Sequence, residues 1–156
     1  MTPRGPGRDR TVVVGRQALL VQCWEVVLLR AGYEVQGVVR SPADPLPSRS
    51  TVLRSRPGTV LLLVDLDREL EDVVSLVSAL ADTGIPAVVL TRSSRGARWG
   101  QCLQHGAGTV IGSHEPMTAV LDALDLLSRG LPAVDRAERD ALLELAGTWA
   151  AGDRLP

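Results

Sequence analysis

Asp65 is the residue of this chain best placed to do chemistry. It closes an aliphatic run, Thr59-Val60-Leu61-Leu62-Leu63-Val64. A strand apolar at every position is covered on both faces, as in a parallel sheet between helices. The C-terminal edge of such a sheet is where open α/β folds hold their ligands. Asp65 is therefore the natural centre of a site, unless it serves only in a salt bridge or as a helix cap. Thr91 ends the next predicted strand, and its hydroxyl is expected to bond to backbone. Arg16 leaves the first strand at the same edge, and its guanidinium is expected to pair with Asp65, bidentately if the geometry allows.

Other groups that could react are sparse. No nucleophile–His–acid set, phosphate loop or zinc cluster is present. His105 and His114 are lone histidines near loops, expected at the surface. Cys23 and Cys102 fall in predicted helices without metal-ligand spacing and read as buried free thiols. Gly106-Ala107-Gly108 is a turn into a strand and carries no dinucleotide fingerprint. Trp24 and Trp149 lie on apolar helical stripes, so packing is their expected role. Trp99 is different: with Arg95 and Arg98 it sits in a poorly periodic helix, a candidate exposed anchor for a ligand or partner.

The elements that must position these residues alternate regularly. Strands are predicted at 11–14, 34–39, 59–64, 86–90 and 109–111, and helices at 17–31, 68–81, 95–105 and 116–128. Residues 41–56 carry Pro42, Pro45 and Pro47, and read as a loop with at most a short helix over 48–56. Glycines 32, 84, 106 and 130 close the helices. Units of this length and spacing build a doubly wound parallel sheet with right-handed crossovers. Residues 135–151 form one more amphipathic helix that five βα units do not need. The expected division is a polar, disordered tail over 1–10, a domain over 11–130 and a linker helix over 131–156.

Composition narrows the function classes. The chain has 156 residues, 45% of them hydrophobic, enough for one domain with a real core. There is no Phe, so Val, Leu and Ala must fill that core. Net charge is −1, which gives no global pull toward nucleic acid or membrane. All 17 basic residues are Arg. No signal peptide or membrane span is visible, so a cytoplasmic location is expected and no membrane partner.

The order of elements, the Asp65 strand end, Pro86-Ala-Val-Val-Leu-Thr91 and Gly106-Ala-Gly-Thr-Val-Ile111 followed by Pro116 resemble the receiver domains of bacterial response regulators. The nearest type is the NarL/LuxR class, in which a receiver precedes a DNA-binding helix-turn-helix. The stretch from Ser128-Arg-Gly-Leu-Pro132 to Glu144-Leu-Ala-Gly-Thr-Trp149 is similar to the linker of those proteins. The resemblance implies the flavodoxin-like strand order 2-1-3-4-5. It also implies a phosphorylation site at Asp65. Phosphoryl transfer there needs Mg²⁺, held by the aspartate and an acidic pair after strand one. The matching positions here are Gly15 and Arg16. The phosphoryl-binding lysine corresponds to Ser113, and the chain has no lysine to substitute. Thr91 matches the conserved hydroxyl of the switch, whereas Val110 replaces its aromatic.

These departures describe a degenerate receiver. The expected function is a phosphorylation-independent signal-input and dimerisation domain of a transcription regulator, not an enzyme, without metal or cofactor. Its helix-turn-helix would lie past Pro156 and supply the contact with DNA. The alternative is a sensor of a small-molecule pathway product in the vacated phosphorylation pocket. A homodimer is expected through the first and fifth helices, or through helix four, strand five and helix five. The tail helix should pack back on the domain through Leu142, Leu145 and Trp149 or pair with its copy.

Overall fold

A computed structural model describes residues 10–41 and 46–153, with side chains to residue 148. The expectations for residues 1–9 and for the Trp149 side chain lie outside the described residues. The elements run β1 (Arg10–Gly15), α1 (Ala18–Arg30), β2 (Glu34–Val39), α2 (Arg49–Leu53), β3 (Thr59–Val64), α3 (Leu66–Asp82), β4 (Ala87–Thr91), α4 (Ala97–Gln104), β5 (Thr109–Gly112), α5 (Met117–Ser128) and α6 (Arg136–Asp153). All strands are parallel, in the order β2-β1-β3-β4-β5. The doubly wound sheet read from the alternation of elements is the one found.

Period-two alternation divides the strand residues between two cores. Val12, Val14, Val60, Leu62, Val64 and Val89 face one side, under α2, α3, α4 and α6. Val13, Leu61, Leu63, Val88 and Leu90 face the other, under α1 and α5. Each of these side chains is less than a tenth exposed. Burial of a Val or Leu side chain is worth about 1.5–3 kcal/mol, so β3, buried at every position, anchors the sheet.

Two boundaries and one burial differ from the sequence reading. Arg10 belongs to β1, not to the tail, because its guanidinium holds Glu34 of β2 at 2.8 and 3.0 Å and the Ser55 carbonyl at 2.8 Å. α3 starts at Leu66, directly after the strand, because the Asp65 carboxylate accepts the Asp67 N–H at 3.0 Å and caps the helix. Cys23 is exposed on α1, while Cys102 is buried as expected.

The tail helix packs back on the domain, along α4. Leu142 and Ala146 are both buried there, but Leu145 points outward and is 40% exposed. The two helices meet backbone to backbone. A Cβ on Gly100 of α4 would lie 2.0 Å from the Leu142 carbonyl oxygen. Only glycine permits that approach.

Candidate functional site

The C-terminal edge of the sheet collects residues from four loops. Gly15 ends β1 and Arg16 follows it, Arg40 follows β2, Asp65 follows β3, Thr91 ends β4 and Ser93 lies just beyond it. The first turn of α3 adds Asp67, Arg68 and Glu69.

Glu69 is the centre of this edge. It is 6% exposed, and its Oε1 accepts from Arg16 Nη2 at 2.7 Å and from the guanidinium of Arg40, itself 5% exposed. Its Oε2 accepts the backbone N–H of Asp65 at 3.1 Å. A buried carboxylate is stable only when paired and hydrogen-bonded, and here both oxygens are engaged. The Asp65 and Glu69 side chains thus cap the start of α3 reciprocally, in the manner of a capping box lengthened by one residue.

Asp65 has a different environment from the one expected. Its side chain is 44% exposed and faces Arg68 at 3.9 Å. Oδ1 is occupied by the Asp67 N–H and lies 3.4 Å from Ser93 Oγ. Arg16 does not pair with it. The physical reason is reach and burial: Glu69 has one more methylene, lies under the edge and is sealed from water, so the cation neutralises the buried charge before the wet one. Glu69 and Arg40 are the residues that sequence reasoning missed. The signal for Glu69 was present, because it heads the stripe Val73, Leu76, Val77 and Leu80 that α3 buries.

Thr91 is buried, and its Oγ1 accepts from Ser93 N at 3.1 Å and Leu66 N at 3.5 Å. That is the backbone-bonded hydroxyl expected. Ser113 is exposed just after β5, where its N–H donates to the Thr91 carbonyl at 2.8 Å. His105 and His114 are exposed, and His114 Nε2 lies 3.5 Å from Glu115.

The anchor expected at Trp99 is overturned. Trp99 is 8% exposed, and its Nε1 donates to the Ser93 carbonyl at 3.2 Å. The buried residues of α4, Trp99, Gly100, Cys102 and Leu103, follow helical spacing and form one stripe, which α3 and α6 together cover. Arg95 reaches Glu138 of α6 at 2.6 and 3.1 Å, and Arg98 lies 3.4 Å from Asp67. Both are engaged within the chain. The Arg95 hydrogen bonds hold the Glu138 carboxyl below its usual range.

The edge does not fit Mg²⁺. A Cβ on Gly15 would stand 2.9 Å from Val21 Cγ2 and 3.2 Å from Leu63 Cδ1, so no carboxylate can be placed there without moving the core. Among the described residues, Asp65, Asp67 and Glu69 are each faced by guanidinium groups, of Arg16, Arg40, Arg68 and Arg98. Carboxylates already engaged by fixed positive charge are poor ligands for a divalent cation. Among the described residues no cluster of His, Cys, Asp and Glu could hold a metal.

The fold is that of response-regulator receiver domains. The activated receiver domain of RstA from Klebsiella pneumoniae superposes with a TM-score of 0.61 at 21% identity, over 78% of this chain and 99% of that one. A LuxR-family two-component response regulator from an Aurantimonas species gives 0.62 at 13%, over 91% and 97%. A LuxR-family DNA-binding response regulator from Staphylococcus aureus gives 0.59 at 10%, over 77% and 98%. No family model matches the sequence, and no curated protein matches it.

Proposed function

We propose that this chain is a receiver-type signal-input domain that works without aspartyl phosphate, within a cytoplasmic transcription regulator. The observation that carries this reading is the Arg16–Glu69–Arg40 cluster. Fixed guanidinium charge, already neutralised by a buried carboxylate, stands where phosphoryl transfer needs a metal. Asp65, Gly15, Arg16, Thr91 and Ser113 then form a degenerate phosphorylation site, with Asp65 serving as the cap of α3. Output to DNA is supported by the fold shared with LuxR-family regulators.

The test is incubation with acetyl phosphate and Mg²⁺, read by intact mass. No adduct is expected. A stoichiometric phospho-adduct removed by Asp65→Ala would overturn the reading.

Dimerisation belongs to the same proposal. α6 already covers α4, which disfavours the surface around helix four. α1 presents Leu19, Val26 and Leu29, each at least half exposed, and is the better surface for a second copy. Leu19→Ser should lower the mass seen by light scattering.

One observation favours a second reading, a small-molecule effector at this edge. Arg16 is a third exposed, and its Nε is buried without a hydrogen-bond partner. A bound anion would satisfy it. A rise in melting temperature with a candidate pathway product, abolished by Arg16→Ala, would support that role.

A further inference from the structure

The edge of the sheet opposite Asp65 holds a cavity of about 480 Å³, within the range of small-molecule sites. It opens between the ends of α3 and α5, the starts of β4 and β5, and the segment that leads into α6. Ile85, Leu127, Leu131, Ala133 and Val134 supply apolar wall. Ile85 and Val134 belong to the core on one face of the sheet, Leu127 and Ala133 to the core on the other. The cavity therefore sits where the two cores meet below the strands.

Arg139 is the one charged residue in the lining. It is exposed on the first turns of α6, and no carboxylate among the described residues pairs with it. In the last turns of the helices at this edge the Leu80 carbonyl accepts from Ile85 N and Thr83 Oγ1, Leu103 from Gly106 N, and Leu126 from Leu131 N. An apolar hollow with a single free guanidinium at its rim is complementary to an amphipathic acid.

We propose that this cavity binds a small amphipathic acid, its hydrocarbon or aromatic body between the two cores and its anionic group on Arg139. The ligand would touch both the domain and the segment that starts α6, so occupancy would hold the tail helix to the body. The site is separate from the Asp65 edge, and its test does not depend on the phosphorylation result.

Two anionic probes suit the experiment, anilinonaphthalene sulfonate followed by fluorescence and octanoate as its competitor, both with the full chain. Saturable binding of one dye per chain is expected. Arg139→Gln, at an exposed position, should keep the fold and weaken binding about tenfold, the worth of one charge-assisted contact. Ala133→Trp should fill the cavity and remove binding. Val39→Ser, at an exposed apolar position at the end of β2, should leave it unchanged. Octanoate should displace the dye and octylammonium should not. Unchanged affinity in Arg139→Gln, loss of binding in Val39→Ser, displacement by octylammonium as effective as by octanoate, or no saturable binding at all would each overturn the proposal.

Discussion

Arg16 Nη2 lies 2.7 Å from Glu69 Oε1, and this contact, not one with Asp65, defines the electrostatic state of the site. Glu69→Gln should be the costly change, because it removes the buried charge that Arg16 and Arg40 share. A loss of roughly 1–3 kcal/mol in denaturant unfolding is expected. Arg16→Ala should cost about 1 kcal/mol, since Arg16 is partly exposed and Arg40 stays on the carboxylate. A double-mutant cycle should give coupling between positions 16 and 69, and almost none between 16 and 65. Stronger coupling to Asp65 than to Glu69 would mean that the pairing described here does not hold in solution.

Gly15→Asp restores a carboxylate that the resemblance implies at this position, but the Cβ has no room beside Val21 and Leu63. The variant should lose about 1–3 kcal/mol through overpacking. Titration calorimetry should still detect no Mg²⁺ binding, because Arg16 and Arg40 keep their charge.

The seat of α6 can be tested at Gly100. Gly100→Ala places a methyl against the Leu142 carbonyl and should prise the helix from α4, at a cost of about 1–3 kcal/mol. In a Trp24→Phe, Trp149→Phe background, Trp99 emission should shift to the red as its cover leaves. High salt alone should not have that effect. The Arg95–Glu138 pair is exposed and contributes little, while the apolar contact of Leu142 and Ala146 is insensitive to screening.

The two cysteines should separate cleanly. Cys23 is exposed, so one thiol per chain should react with a disulfide reagent in the native state and two in denaturant. Burial pushes the Cys102 thiol from 9.0 up to about 12. A raised thiol pKa stabilises the fold below the unfolded value and is lost as pH rises. Stability should therefore decline from pH 9 toward 12 by up to about 1.4 kcal/mol per pH unit. Cys102→Ser should remove that part of the slope, since its hydroxyl does not titrate there.

The alternation of elements, the parallel sheet and its buried central strand were all legible in the sequence. Hydrophobic periodicity and glycine stops are local properties, and β3 carries its burial on its face as six apolar or small residues in a row. The absence of an acidic pair and of a lysine was equally plain from residue types alone. Partners were not legible. Whether Arg16 meets Asp65 or Glu69 depends on which carboxylate is sealed from water, and that follows from Arg40 and the first turn of α3 arriving from separate parts of the chain. The same holds for α4. Trp99, Cys102 and Leu103 share one helical stripe, but what covers that stripe is α6, a helix more than thirty residues further along, and nothing in the period of α4 names that partner.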